Sequence, residues 1–223
     1  MSQADLLDGI DTQQDRRGDG AARRAMIDSQ LRPNDVNDKV LLAAIAKVDR
    51  EDYLPEDRRS VAYRDRAIPL GEGRFAPAPT VLFKLIDRAR VRAGERALVV
   101  GPNGDYAAAV LAELGLSVVA LDTVSSLGPA RDGVETSKGA LERGFGADDS
   151  FDLILVTGAI ERVSDALVAQ LKQDGRIAAP AIEGGVSRLA IGRKVDGQIS
   201  FRSFADAQVA RLAAFDAPQG FTF

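Results

Sequence analysis

The stretch ALVVGPNGDYAAAVLAEL, residues 97–114, decides the fold of this chain. It starts as a short apolar run of the buried-strand type, breaks at Gly101 and Gly104, and resumes as an alanine-rich helical pattern. A second apolar run, residues 118–122, has no polar face before its terminal acid. Strand, turn, helix and strand in this order predict a βαβ unit with parallel strands.

The alternation of strands and helices continues toward the C-terminus. Further elements are predicted, in chain order, as a brief strand at 134–137, a strand at 151–156, a helix at 164–171 and a strand at 175–181. Two alternating runs then flank Asp196-Gly197, a dipeptide that favours the turn of a β-hairpin. The sequence therefore predicts an α/β fold whose mostly parallel sheet is closed by a C-terminal antiparallel hairpin.

Before the sheet, the sequence predicts helices separated by a long connector. Residues 38–48 place apolar side chains on one helical face behind Asn37, a predicted N-cap. Residues 49–79 contain four prolines and two glycines, which predicts a connector with short helical turns. Pro79 then opens a further helix that is predicted to end near Gly94.

Composition excludes several classes of function. With 223 residues, 45% of them hydrophobic, the chain can bury one sizeable core. It has 29 basic and 33 acidic residues without a long basic run, which argues against a nucleic-acid partner. It has no His and no Cys, so we expect no metal site and no thiolate or imidazole chemistry. No secretory apolar region and no run of 18 apolar residues is found, so we expect a cytoplasmic protein without membrane association.

Gly101 and Gly104 admit two interpretations. A glycine turn between strand and helix lets backbone N–H groups face a ligand, because glycine has no side chain. The same glycines also suit a tight corner without a ligand, since the third glycine of the dinucleotide fingerprint is absent. Asp122 lies 18 residues past Gly104 at the end of a strand. It favours the cofactor interpretation, because a carboxylate there accepts hydrogen bonds from ribose hydroxyls.

Four blocks of sequence occur in an order that is typical of one enzyme family. They are MIDSQLRPNDVNDKVLLAAIAKVDREDYLPEDRRSVAYRDRAIPLGEGR, RALVVGPNGDYAAAVLAELG, FDLILVTGAI and LVAQLKQDGRIAAP. With these blocks the chain resembles the protein-L-isoaspartate O-methyltransferase family, as a divergent member, over roughly residues 24–195. These enzymes methylate abnormal aspartyl carboxylates with S-adenosyl-L-methionine.

The resemblance implies a fold and a division of the chain. The fold is a Rossmann-like class I S-adenosylmethionine-dependent methyltransferase sheet with a helical N-terminal extension and a C-terminal antiparallel hairpin. Residues 1–22 are expected to be a flexible leader, residues 23–94 a helical N-terminal region with the active-site connector, and residues 95–223 the Rossmann-like methyltransferase domain.

The resemblance also implies cofactor-binding positions. Asp122 would hold the ribose hydroxyls of S-adenosyl-L-methionine. The family carries Gly-Asp-Gly near the adenine, where this chain has Gly139-Ala140-Leu141. The remaining positions lie along the amino-acid and ribose portions of the cofactor, and the full set of implied contacts is Gly101, Asn103, Gly104, Asp122, Ala140 and Leu141.

The connector departs from the family pattern at the reaction centre. The family reads Gly-x-Gly-Gln-Thr-Ile-Ser-x-Pro, whereas residues 71–79 read Gly-Glu-Gly-Arg-Phe-Ala-Pro-Ala-Pro. Phe75 stands in place of the Thr and Pro77 in place of the Ser, so two hydroxyls of the family are replaced. An ionised carboxylate needs no general base to accept a methyl group, so the loss is expected to damage positioning and slow the reaction.

The expected partner is a damaged protein or peptide that presents a carboxylate. Arg32 and Arg74 are candidates to clamp that carboxylate, although each alone also suits an ordinary surface arginine. Thr157 follows the central strand and is expected to line the same crevice. Three functions stay open: a carboxyl O-methyltransferase, a non-catalytic member with an eroded cofactor site, and, less favoured, a nicotinamide-dependent oxidoreductase.

Overall fold

The computed structural model describes residues 20–217. Helix α1 covers residues 20–26 and continues as the π-helical turn Ile27–Leu31. Of the predicted leader, residues 1–22, the first 19 lie outside the described residues, and the last three belong to helix α1. Within the described residues, no helix combines the length and the apolar character that a membrane span requires.

Helix α2, Lys39–Lys47, confirms the predicted amphipathic helix but not its N-cap. The Asp38 carboxylate, rather than Asn37, accepts hydrogen bonds from the N–H groups of Val40 and Leu41, at 2.8 and 2.9 Å. A carboxylate at this position satisfies N–H groups that have no partner inside the helix. The helix therefore begins one residue later than the sequence predicts.

The connector contains a hairpin that the sequence analysis missed. Two 3₁₀-helical turns, Arg50–Tyr53 and Glu56–Val61, agree with the predicted helical turns. Strands β1, Ile68–Gly71, and β2, Arg74–Ala76, then pair antiparallel. Helix α3, Pro79–Ala89, follows and ends at a left-handed Arg90, earlier than the predicted Gly94.

A seven-stranded sheet forms the centre of the molecule, in the order β5-β4-β3-β6-β7-β8-β9. The pairs β5–β4, β4–β3, β3–β6 and β6–β7 are parallel, whereas β8 pairs antiparallel with β7 and β9. The predicted parallel sheet and the C-terminal hairpin are thereby confirmed. The strands are β3 Arg96–Val100, β4 Ser117–Asp122, β5 Val134–Lys138, β6 Phe151–Val156, β7 Leu171–Glu183, β8 Val186–Val195 and β9 Gln198–Asp206.

Apolar layers cover both faces of the sheet, because side chains alternate along each strand. Ala97 and Val99 of β3 belong to the larger layer, together with residues of α2, α3 and helix α4, Gly104–Glu113. Leu98 and Val100 belong to the smaller layer, together with Leu167 of helix α5, Asp165–Gln170. The sheet thus holds the carboxyl ends of β3 and β4 in a fixed position.

The crossover between β4 and β5 is unusual for parallel strands. It consists of residues 123–133, all of them described, and contains no helix. Parallel neighbours are ordinarily joined by a dozen or more residues that form a helix. Without that helix, the crossover folds back over the carboxyl ends of the strands.

Candidate functional site

A crevice lies at the carboxyl ends of β3 and β4. Open α/β sheets bind their ligands in this place. Its walls come from six parts of the chain: the segment around Tyr53, the β1–β2 hairpin, the turn after β3, the end of β4, the crossover and β5. The side chains or backbone that matter below are those of Tyr53, Arg74, Gly101, Asn103, Gly104, Asp105, Asp122, Ser126, Leu127, Thr136 and Ser137.

Both glycines of the turn are required by close packing. Gly101 has a φ of 113°, and a Cβ there would lie 2.7 Å from the Thr157 Oγ1. Gly104 begins α4, and a Cβ there would lie 3.1 Å from Cγ1 of Val99 in β3. The turn agrees with both interpretations of the sequence, because it is a tight corner and its glycines also line the crevice.

Thr157 anchors the glycine turn from below. Its side chain is buried, and its hydroxyl donates to the carbonyl oxygen of Pro102 at 2.9 Å. The Thr157 N–H donates to the Val100 carbonyl at 3.0 Å. Thr157 does not line the crevice. This corrects the expectation that Thr157 faces a substrate, because its polar groups are used to hold the turn.

Asn103 joins the glycine turn to the connector. Its backbone is left-handed, with a φ of 57°, a conformation that Asn tolerates better than most residues. Its buried amide donates to the Tyr53 carbonyl at 2.8 Å, while its Oδ1 has no protein partner. Asn103 lines the crevice as the sequence predicts, and its amide nitrogen is spent on the connector.

Asp122 and Arg74 form an ion pair across the crevice. The Arg74 Nη2 donates to the Asp122 Oδ2, and the Thr123 N–H donates to Oδ1 at 2.7 Å. Each of the two charged side chains is only 18% exposed. The predicted ribose acceptor is therefore paired with one of the two predicted carboxylate clamps.

Asp105 holds the crossover over the crevice. Its Oδ2 accepts hydrogen bonds from the Ser126 hydroxyl at 2.7 Å and from the N–H groups of Leu127 and Gly128 at 3.3 Å. Gly128 packs so closely on the Tyr53 ring that a Cβ would overlap it. Like Asp122, Asp105 therefore accepts hydrogen bonds from donors of this chain.

Three predicted site residues lie away from the crevice. Arg32 is exposed, and its Nε pairs with the Asp28 carboxylate at 3.1 Å, one helical turn before it. Leu141 is buried in the smaller apolar layer, and Ala140 is an exposed residue that precedes it. The wall of β5 is formed instead by Thr136 and Ser137. These positions correct the expectation for Arg32, Ala140 and Leu141.

Phe75 and Pro77 flank the crevice without lining it. Phe75 lies on β2, half-buried and paired with Pro69 of β1. Pro77 is buried, and its carbonyl accepts a hydrogen bond from the Arg50 Nη2 at 2.6 Å. The connector therefore presents Arg74, rather than a hydroxyl, to the crevice.

Arg50 is a residue of this region that sequence reasoning missed. Its guanidinium is fully buried, lies over the Tyr106 ring at 5.5 Å, and leaves Nε and Nη1 without a protein partner. Burial lowers the pKa of Arg50 and raises the pKa of Tyr106. One arginine among many in a polar connector carries no signal that separates it from surface residues.

Comparisons with known proteins agree with the fold and show the family. The family model described as protein-L-isoaspartate (D-aspartate) O-methyltransferase matches residues 21–210. The chain belongs to this family. A protein-L-isoaspartate O-methyltransferase of Methylorubrum populi is 33% identical over 201 residues, which cover 86% of this chain and 95% of the relative. That of Gloeobacter violaceus is 34% identical over 164 residues, which cover 70% of this chain and 80% of the relative.

A solved structure shows the same fold. It is a family member from Plasmodium falciparum in complex with S-adenosyl-L-homocysteine, with a TM-score of 0.69 and 18% identity. The superposition covers 86% of this chain and 98% of that one. At this identity the likeness establishes the architecture, and the site is judged on its own residues.

The crevice fits an adenosyl group at the turn and at the end of β4. Gly101 and Gly104 line the crevice beside the start of α4, and Asp122 lies at the strand end where a ribose is ordinarily held. The Arg74 guanidinium already donates a hydrogen bond to the Asp122 carboxylate. Within the described residues, no group of three or more potential ligands suits a metal ion.

Proposed function

We propose that this chain is an S-adenosyl-L-methionine-dependent carboxyl O-methyltransferase that acts on isoaspartyl carboxylates of damaged proteins in the cytoplasm. One observation carries the proposal. In a chain of this family, the Gly101–Gly104 turn and Asp122 line one crevice at the carboxyl ends of parallel strands. This is the arrangement that a nucleoside cofactor needs.

The residues divide the work as follows. The cofactor, when bound, supplies a methyl group activated by a sulfonium. The glycine turn lets the cofactor approach the protein backbone closely, and Asp122 accepts hydrogen bonds from the cofactor's ribose. An acceptor carboxylate is already ionised at neutral pH, so the chain needs only to orient it and exclude water.

Phe75 and Pro77 make slow turnover part of the proposal. They stand at the family's Thr and Ser positions, so no hydroxyl from these positions can orient the acceptor carboxylate. A carboxylate that is taken from water without replacement hydrogen-bond partners is disfavoured. We expect methylation of an isoaspartyl peptide to be slow or undetectable even when the cofactor binds.

A methyl-transfer assay with an isoaspartyl peptide tests the proposal. The wild type is compared with the Methylorubrum populi relative and with a Phe75→Thr, Pro77→Ser double variant. Low turnover in the wild type and higher turnover in the double variant support the proposal. Turnover equal to that of the relative contradicts the role given to the missing hydroxyls.

A non-catalytic member of the family is the second candidate. It is favoured by the ion pair between Arg74 and Asp122 and by the crossover that lacks a helix, since both fill the crevice with the chain's own groups. Inactivity of both the wild type and the double variant, together with no binding of S-adenosyl-L-homocysteine, would favour this candidate.

A further inference from the structure

We infer that Arg74 determines the affinity of the crevice for its nucleoside ligand by competing with the ribose hydroxyls for the Asp122 carboxylate. The inference rests on the proposed function, because it concerns the same crevice. It concerns binding alone, so it can be tested without methyl transfer.

Both oxygens of the Asp122 carboxylate already accept hydrogen bonds from this chain. A carboxylate that holds a ribose accepts from two neighbouring hydroxyls, one on each oxygen or both on one. The Asp122 Oδ1 already accepts from the Thr123 N–H at 2.7 Å, and Oδ2 accepts from Arg74. Ribose hydroxyls must therefore share Oδ2 with the Arg74 guanidinium or displace it.

Arg74 forms a stronger hydrogen bond to Asp122 than a ribose hydroxyl would. A hydrogen bond between two charged groups is about twice as strong as one with a neutral donor, and a hydroxyl is neutral. Both charged side chains are only 18% exposed, so water screens their attraction incompletely. Arg74 consequently lowers the affinity for any ligand that must use Asp122.

A comparison with the buried Arg176 shows how few hydrogen bonds hold the Arg74 side chain. Arg176 donates to three backbone carbonyls and to both oxygens of Glu95, which ties it to several elements. Arg74 makes its side-chain hydrogen bond to Asp122, and its buried Nε has no protein partner. A buried N–H without a partner costs free energy, so Arg74 can leave Asp122 with little other loss.

The decisive experiment crosses a variant with a change in the ligand. Calorimetric titrations compare S-adenosyl-L-homocysteine with its 2′-deoxyribose analogue on the wild type and on Arg74→Gln. We expect Arg74→Gln to bind S-adenosyl-L-homocysteine about tenfold more tightly, as for one charged hydrogen bond relieved of competition, and the deoxy analogue with a clearly smaller gain. A general change of shape at residue 74 would shift both ligands equally.

Two further variants make the result specific. Arg74→Met keeps the aliphatic stem and should show the same gain as Arg74→Gln. Arg188→Gln removes an exposed arginine that pairs with Asp206 on the C-terminal strands, and it should leave both affinities unchanged. Thermal unfolding of each variant verifies that it is folded.

The outcomes separate the inference from the proposed function. Equal or weaker binding of S-adenosyl-L-homocysteine by both Arg74 variants overturns the inference, as does an equal gain for the two ligands. In those cases binding by the wild type still supports a nucleoside crevice. Absence of binding by all the proteins contradicts the proposed function, and the inference with it.

Discussion

The two ends of the crevice are built in different ways. At one end, the Gly101–Gly104 turn is held by local backbone geometry and by the Thr157 hydroxyl beneath it. At the other end, Asp122 is engaged by Arg74, and the crossover 123–133 lies where a helix ordinarily would. The first end depends on local packing, whereas the second depends on contacts between distant parts of the chain. The same sheet therefore supports two ends that are held together by different kinds of contact.

The largest expected effect lies at the turn. Gly101→Ala places a methyl group 2.7 Å from the Thr157 Oγ1 and forces an alanine into a φ of 113°. Overpacking and backbone strain each cost about 1–3 kcal/mol, so we expect a loss of roughly 2–6 kcal/mol in the free energy of unfolding. Urea denaturation measures it.

Gly197→Ala is the matched control for that substitution. Gly197 has a φ of 76°, yet a Cβ there meets no atom within 4 Å. It tests backbone strain without overpacking, so its loss should be the smaller of the two. Equal losses for the two variants would mean that the contact with Thr157 does not shape the turn.

The second effect concerns the anchor beneath the turn. Thr157→Val keeps the volume and leaves the Pro102 carbonyl without the hydroxyl that donates to it at 2.9 Å. An unsatisfied buried acceptor costs about 1–3 kcal/mol, which urea denaturation would detect. Thr136→Val, on the exposed strand β5, serves as the control and should stay within about 0.5 kcal/mol of the wild type. A loss no larger than that of the control would contradict the anchoring role of Thr157.

The two strands and the glycine turn that carry the crevice could be predicted from the sequence, whereas the ion pair between Arg74 and Asp122 could not. Buried parallel strands are continuous apolar runs, so the predicted strands 97–100 and 118–122 match Arg96–Val100 and Ser117–Asp122 closely. The contact between Arg74 and Asp122 joins residues 48 apart, through a hairpin that lies inside the proline-rich connector. Periodicity reports local structure, and it carries no information about such a pairing.

The third effect appears at alkaline pH and concerns two buried tyrosines of the larger apolar layer. Burial raises the pKa of Tyr106, and burial together with a hydrogen bond to Glu51 raises that of Tyr63. Each folded-state pKa lies above the unfolded value near 10, so the stabilisation is complete below pH 10 and is lost as the pH rises further. By pH 11 each tyrosine should have lowered the free energy of unfolding by about 1.4 kcal/mol.

Tyr106→Phe isolates one of these contributions. Its hydroxyl has no protein partner, so the variant should fold normally at pH 7 and lose less stability than the wild type between pH 9 and pH 11. Urea denaturation across that range gives both slopes. Identical slopes for the two proteins would show that Tyr106 ionises as freely when folded as when unfolded.

The smallest effect lies at the crossover. Ser126→Ala removes the hydroxyl that donates to the Asp105 Oδ2 at 2.7 Å, and Ser126 is exposed. Asp105 keeps the N–H groups of Leu127 and Gly128, so we expect a loss of only about 0.5–1 kcal/mol in the free energy of unfolding. Faster proteolysis within residues 123–133 should accompany it. A loss as large as that of Thr157→Val would mean that the crossover is as tightly built as the turn.

The most direct test of the central claim is a calorimetric titration of the wild type and of Asp122→Ala with S-adenosyl-L-homocysteine and, separately, with NAD. The account predicts that S-adenosyl-L-homocysteine binds to the wild type and NAD does not. Asp122→Ala should weaken binding by about 1–3 kcal/mol, the range for hydrogen bonds to a charged group. Unchanged affinity in Asp122→Ala, or binding of NAD in preference, would contradict the assignment of this crevice to an S-adenosyl cofactor.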